Sequence, residues 1–252
     1  MTRGLADRRI LITGGGAGIG ATTARAAVAE GARVALLDID ATAAERTAQT
    51  LGPDHVLAVS GDVTDPFAVA RALDEMAQRW GGIDALVNNA GIYDHAPLLE
   101  LTLERWRRVF DVNLFAAIEA ANAAARQMEP GGAIVNVSSV LGQVAAPTRG
   151  PYCVSKAALI ALTKMQAIEW AERGIRVNAI APGYIDNEAV RSFEAAGGMD
   201  GAAVRKRTPL HRLGTEEEVA AGILFLLDPA RAAYVTGTVL EVSGGWTAYG
   251  YV

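Results

Sequence analysis

Apolar residues fall in short unbroken runs: Ile10–Thr13, Val34–Asp38, Val56–Val59, Ala85–Asn88, Ala133–Val137, Val177–Ala181 and Val239–Val242. Each has the length of a strand. Cores such as Ile10-Leu11-Ile12 and Ala85-Leu86-Val87 are apolar on both sides of the two-residue pleat, as strands covered on both faces require. Alanine-rich stretches long enough for a helix follow the runs. This alternation predicts an α/β fold, a doubly wound parallel sheet of about seven strands with helices on both faces. No Pro/Ser-rich linker, charge block or fixed-period repeat interrupts the pattern, so residues 1–252 are expected to form a single domain.

Composition narrows the function classes. The chain is 51% hydrophobic with 27 glycines, enough for a sizeable core with many tight turns. Its net charge is −5 and its arginines are scattered, which leaves no electrostatic footprint for nucleic acid. Apolar runs such as Ile223–Leu227 fall far short of the ~20 residues that span a bilayer, and Met1–Thr13 lacks a signal-peptide core. Cys153 is the only cysteine and excludes an intrachain disulfide. A cytoplasmic protein with no membrane partner is expected.

Ligands of open α/β sheets bind beyond the carboxyl ends of the strands, and the polar residues there are informative. Thr13 to Gly20 reads TGGGAGIG between a strand and a helix, with Gly14, Gly18 and Gly20 as the fixed points of a T-G-x-x-x-G-x-G loop. Glycine permits positive φ and close approach of a pyrophosphate to a helix N-terminus. Asp38 ends the next strand, where a carboxylate can bond adenosine ribose hydroxyls and repel a 2′-phosphate, favouring NAD over NADP; a strand-end turn is its other reading. Asp62 can bond adenine while Val63 packs on the ring, or simply form a turn. Asn88-Asn89-Ala90-Gly91 places amides and a bend beside the central crevice, where they brace the strand ends or touch the cofactor ribose.

Tyr152 and Lys156 lie one turn apart on one helix face. A phenol is a poor base at neutral pH, and a nearby ammonium together with the positive nicotinamide ring of NAD⁺ would favour the phenolate. Ser138–Ser139 close the fifth strand thirteen residues before Tyr152, and Asn113 sits in Val109-Phe-Asp-Val-Asn-Leu114.

TGGGAGIG, Asp38, DVT at Asp62–Thr64, NNAG, Asn113, VNVSS, YCVSK and IRVNAIAPGYI ending at Ile185 occur in this order nearly end to end. The chain thereby resembles the short-chain dehydrogenase/reductase family, in its compact single-domain branch with a Rossmann-type sheet. The resemblance implies an NAD-dependent oxidoreductase that interconverts a secondary alcohol and a ketone. Tyr152 is then the general acid/base, and Lys156 lowers its pKa and binds the nicotinamide ribose. Ser139 holds the substrate oxygen, Ser138 is structural, and Asn113 holds a water linking Lys156 to solvent. Ile19 joins the glycines at the cofactor, and Pro182, Gly183 and Ile185 contact its nicotinamide end. Asn187 stands where the family often has a threonine that touches the carboxamide; it keeps a donor and an acceptor.

The segment 184–212, with Gly197-Gly198 and Gly201 between helical stretches, is the substrate lid that the resemblance implies. Tyr93, His95, Val140, Gln143, Arg149, Glu188 and Trp246 neighbour the strand ends or the lid and are candidate substrate contacts. Their mixed polarity favours a polyol or sugar-like substrate. Arg149 keeps open an anionic hydroxy or oxo acid, and a 3-oxoacyl thioester is a further alternative. A hydrolase lacks a G-x-S-x-G elbow, and none of the three histidines has a partner at metal-ligand spacing, so no metal is expected. A dinucleotide-binding sensor or scaffold is the non-enzyme alternative. The aromatic ending after Val242 is expected to dock on its own chain or a neighbour. Small residues Ala157, Ala158 and Ala161 on the Tyr152 helix suit packing against a symmetry mate, in the homotetramer common among members of the family.

Overall fold

The computed structural model describes residues 4–248; Tyr249 and Tyr251 of the aromatic ending lie outside the described residues. The elements in chain order are β1 (Arg9–Thr13), α1 (Gly18–Ala29), β2 (Arg33–Asp38), α2 (Ala41–Leu51), β3 (Val56–Ser60) and α3 (Pro66–Trp80). Then come β4 (Ala85–Asn88), α4 (Leu103–Phe110), α5 (Ala116–Gln127), β5 (Ala133–Val137), α6 (Gly150–Trp170) and β6 (Arg176–Pro182). Helices α7 (Glu188–Ala195), α8 (Gly201–Arg207) and α9 (Glu216–Leu227) precede β7 (Val239–Val242).

The seven strands form one sheet in the order β3-β2-β1-β4-β5-β6-β7, with parallel pairing throughout. The order reverses between β1 and β4, which is where such sheets open a ligand crevice. Two-residue alternation divides the core. Ile10, Ile12, Leu36 and Val87 pack with α1 and α9 residues such as Ala24 and Ile223. Leu11, Leu37, Leu86 and Ile134 face the other way, onto Leu73, Met76 and Ala121 of α3 and α5.

All seven expected strands form, four of them a residue or two longer than the apolar runs. Arg9 extends β1 because its backbone N–H and Nε both donate to Asp84 Oδ2 at 2.8 Å. Arg176 extends β6, its Nη1 reaching the Leu226 carbonyl at 2.8 Å. A charged residue thus enters a ladder when its head group finds partners beyond the sheet.

Helix α6 is fastened to the strand ends by buried polar bonds. Asn88 Nδ2 donates to Asn136 Oδ1 at 2.9 Å, Asn136 Nδ2 donates to Thr163 Oγ1 at 2.9 Å, and Ser138 Oγ donates to the Lys156 carbonyl at 2.8 Å. Such bonds cost much when half made and fix a geometry when complete. They hold the first turns of α6 beside the carboxyl end of β5.

Candidate active site

Two hollows meet at the carboxyl ends of the strands, with Gly91 lining both. The larger, about 1160 Å³, is bordered by Gly14, Asp38, Asp62, Val63 and Ala90. The smaller, about 280 Å³, is bordered by Ile19, Asn89, Ser139, Tyr152, Lys156, Pro182, Gly183 and Ile185 among others.

The glycine loop is tied down from three sides. Gly14 has φ 63° and Gly18 φ 57°, the left-handed region that favours glycine. Asn89 Nδ2 donates to the carbonyls of Thr13 at 3.1 Å and Gly14 at 2.8 Å, while Thr13 Oγ1 accepts from the Asn89 and Ala90 N–H groups, both at 3.1 Å. A Cβ on Gly20 would stand 2.1 Å from the Gly14 carbonyl oxygen, so only glycine lets α1 start against the loop. Ala17 caps α1 without a side-chain bond and the first turn has no acid. Backbone donors and a dipole at a first turn that carries no acid of its own fit a pyrophosphate, with Glu216, which accepts from Thr22 Oγ1 at 2.9 Å, and Asp38 as the nearest carboxylates.

Asp38 borders the larger hollow with both oxygens engaged: Oδ2 accepts from Gly16 N–H at 2.8 Å and Oδ1 from Asp40 N–H at 2.9 Å. Asp62 Oδ1 accepts from the Thr64 N–H at 2.9 Å and its hydroxyl at 2.8 Å, closing a turn. For each, the turn role coexists with a place on the wall.

Ser139 precedes a short turn, its Oγ accepting from the Leu141 N–H at 3.1 Å, and its hydroxyl is near enough to the Tyr152 phenol to favour the ionised form. Burial pushes the Tyr152 phenol above its ordinary value, outweighing the Ser139 hydroxyl and the positive field of Arg149, which act downward. The sequence expectation assigned the lowering to Lys156. Its Nζ lies 5.7 Å from the Tyr152 ring centroid and donates to the Val137 carbonyl at 2.7 Å. Burial, at 3% exposure, lowers the lysine from 10.5 to about 8. At about 8 the lysine is still mostly an ammonium at neutral pH, and the lowering expected of it together with the positive nicotinamide ring of bound NAD⁺ works against the burial of the phenol.

Between α4 and α5 the helix passes through a π-turn over Asp111–Phe115, a feature frequent at functional sites. It presents Asn113, buried, whose Oδ1 accepts from Ile92 N–H at 2.8 Å and whose Nδ2 donates to the Ile92 carbonyl at 2.9 Å and Ser155 Oγ at 3.0 Å. A Cβ on Gly91 would meet Lys156 Nζ at 3.3 Å and Asn113 Oδ1 at 3.4 Å. The absent side chain leaves these two groups facing one another, with a lone pair of Oδ1 still available.

Of the candidate substrate contacts, Tyr93, His95, Val140 and Arg149 line the smaller hollow, whereas Gln143, Glu188 and Trp246 do not. Gln143 and Glu188 are exposed; chain proximity to the strand ends selected them, and their turns point outward. Trp246 stands behind the wall, its ring 4.9 Å from that of Tyr184. The segment 184–212 contains α7 and α8 and contributes Tyr184, Asn187, Ala189, Val190, Phe193 and Met199 to the lining. Sequence reasoning missed the four apolar ones and Tyr184; the amphipathic spacing of Val190 and Phe193 on α7 was the available signal. Asn187 caps α7, its Oδ1 accepting from Val190 N–H at 2.9 Å.

The sheet and the grouping of Ser139, Tyr152 and Lys156 at its crevice define a doubly wound oxidoreductase. The chain belongs to the short-chain dehydrogenase/reductase family, whose dehydrogenases use nicotinamide cofactors. The family profile described as Enoyl-(Acyl carrier protein) reductase matches residues 14–247. A cis-4-hydroxycyclohexanecarboxylate dehydrogenase of Sinomonas cyclohexanicum is 42% identical, the match covering 98% of this chain and 100% of the relative. A sorbitol dehydrogenase of Cereibacter sphaeroides is 38% identical over 96% of this chain and 98% of its own. An uncharacterized short-chain type dehydrogenase/reductase of Sinorhizobium fredii is 40% identical over 95% of this chain, but the match spans only 43% of that longer protein. Among solved structures, a glucose/ribitol dehydrogenase-type member from Brucella melitensis superposes with a TM-score of 0.91, covering 98% of this chain and 99% of the other at 30% identity. The named relatives are dehydrogenases of alcohol groups, and the chain is an enzyme of that kind. Among the described residues no helix is long and apolar enough to cross a membrane.

Proposed function

We propose that the protein interconverts a small secondary alcohol and its ketone with NAD(H), Tyr152 moving the proton. The observation that carries this reading is the grouping of Ser139, Tyr152 and Lys156 on the wall of the smaller hollow, which meets the Asp38-bordered cleft at Gly91. NAD⁺, when bound, supplies the hydride acceptor. In oxidation the alcohol O–H gives its proton to the Tyr152 oxygen, the carbinol C–H leaves as hydride, and ketone, NADH and a proton result. Ser139 holds the reacting oxygen. Lys156 passes the proton onward to a water held by Asn113, which it faces over Gly91. Asp38 selects NAD: a 2′-phosphate beside its carboxylate brings like charges together.

Relatives named for sorbitol, galactitol and D-threitol support a polyol-like substrate, and one named for a hydroxycyclohexanecarboxylate supports a hydroxy acid. Self-association as a homotetramer is supported by the open face of α6, where Val154 is 47% and Met165 53% exposed alongside Ala157 and Ala161. The deciding experiment follows NADH formation across polyols, hydroxy acids and simple secondary alcohols, with NAD and NADP in parallel, for the native enzyme and Tyr152→Phe. Turnover with NAD that collapses in the variant while NADH binding persists supports the assignment. Cofactor binding without turnover of any alcohol would mean a sensor or scaffold.

A further inference from the structure

The charges around the smaller hollow are one-sided. Its lining includes the cations Arg149 and Lys156 but no aspartate or glutamate. Of the acids in the neighbouring segments, Glu188 is exposed outside the lining and Asp94, Asp186 and Glu194 are paired with arginines. Asp94, between the lining residues Tyr93 and His95, is held by Arg105, whose Nε donates to it at 2.7 Å. On the lid, Asp186 pairs with Arg191 at 2.7 Å and Glu194 with Arg205 at 3.0 Å.

Arg149 is left without a carboxylate among the described residues. Its position is electrostatically unfavourable: it is the residue before the first turn of α6, where a helix dipole disfavours a cation. Thr148, which delivers it, has φ 64°, a costly conformation for a β-branched residue. The guanidinium is nevertheless held in place. Nη1 donates to Tyr184 Oη at 3.2 Å, and the guanidinium carbon lies 5.3 Å from the Phe193 ring and 5.9 Å from that of Tyr184. An oriented fork with unspent donors is the usual arrangement for binding a carboxylate or sulfonate.

The space between this cation and Tyr152 has flat walls. His95 stacks on Phe193 at 4.4 Å between centroids. Tyr93 meets His95 edge-on at 5.0 Å and Tyr152 at 6.5 Å. Burial and the charge of Arg149 push His95 below its ordinary value, so the imidazole is neutral at neutral pH and serves as a wall.

Resting on the alcohol dehydrogenase reading, we propose that the substrate is a compact secondary alcohol, or its ketone, whose apolar body ends in a carboxylate or sulfonate bound by Arg149. The hydroxyl meets Ser139 and Tyr152, the body lies among Tyr93, His95 and Phe193, and the anion reaches the guanidinium between Tyr184 and Phe193. The hollow, about 280 Å³, matches a compact substrate body.

The test compares kcat/KM for 4-hydroxycyclohexanecarboxylate, 4-hydroxycyclohexanesulfonate and the methyl ester of the former, in the native enzyme, Arg149→Gln and Arg149→Lys. Loss of a charge-assisted contact changes kcat/KM by about tenfold to a hundredfold. One or both anions should exceed the ester by that factor in the native enzyme, and the better anion identifies the headgroup. Arg149→Gln should erase the preference, chiefly through KM, and Arg149→Lys should retain part of it. In a second arm, cyclohexanecarboxylate should raise the Tm of the native enzyme with NADH bound but not that of Arg149→Gln. An ester used as well as the acids, or a preference that survives Arg149→Gln, overturns the proposal and leaves the alcohol dehydrogenase reading intact. If no alcohol is oxidised, that reading fails, and the Tm arm alone decides whether Arg149 binds an anion.

Discussion

Replacing Lys156 by methionine should make stability respond differently to pH, by an amount that follows from its burial. The ammonium is 3% exposed and is lowered from 10.5 to about 8 by desolvation. At 1.36 kcal/mol per pKa unit this gap corresponds to about 3 kcal/mol, the cost to folding of keeping the charged form inside. The folded pKa is below the unfolded one, so between about pH 8 and 10.5 the unfolded chain holds a proton that the folded chain has released. Stability therefore rises with pH across that window, and the penalty is fully present below it. Methionine has nearly the same shape and nothing to titrate. Urea unfolding of both proteins without cofactor, from below pH 8 to above 10.5, cancels every other titrating group in the difference. The native enzyme should gain about 3 kcal/mol relative to Lys156→Met, or roughly 6–12 °C in relative Tm for a chain of this size. A difference that stays level, or that moves the other way, would show that the Val137 carbonyl and its surroundings solvate the ammonium as well as water does.

Two further substitutions test the site's scaffolding. Gly20→Ala sets a methyl group against the Gly14 carbonyl, itself pinned by Asn89. With only backbone to give way, a loss of about 1–3 kcal/mol and weaker NADH binding are expected by thermal unfolding and fluorescence titration; unchanged Tm and affinity would contradict the contact. Asn187→Ala removes the cap of α7, worth about 1 kcal/mol, and should raise the substrate KM with little change in global Tm. Asn187→Asp should restore the lower KM; if alanine is silent, the cap is not what positions the lid.

Much of the frame is legible in the sequence because strands buried on both faces must be apolar without a break. The ends are less so. Arg9 and Arg176 join strands through partners on Asp84 and Leu226 that lie far away in the chain. The strand-end polar residues also come together as the topology demands, since parallel strands put their carboxyl ends on one edge. Side-chain direction is a different matter. Gln143 and Glu188 are near the site in the chain yet point to solvent, while Phe193 and Met199 arrive only through the packing of α7 and the turn after it. The charge economy of the smaller hollow is equally invisible: Asp94 is next to two lining residues, and only the fold reveals that Arg105 draws it away.

The π-turn at Asp111–Phe115 gives the helical stretch from Leu103 to Gln127 one residue more than regular α geometry would use. Removing one residue near it would let the backbone heal into ordinary helix, the flanking turns keeping their faces while the wide turn that presents Asn113 is lost. Asn113 would then face away from Ile92 and Lys156 with its chemistry unaltered. Its address is written in the length of the segment as much as in the letter at that position, so this helix should absorb many exchanges of surface residues and almost no change in spacing.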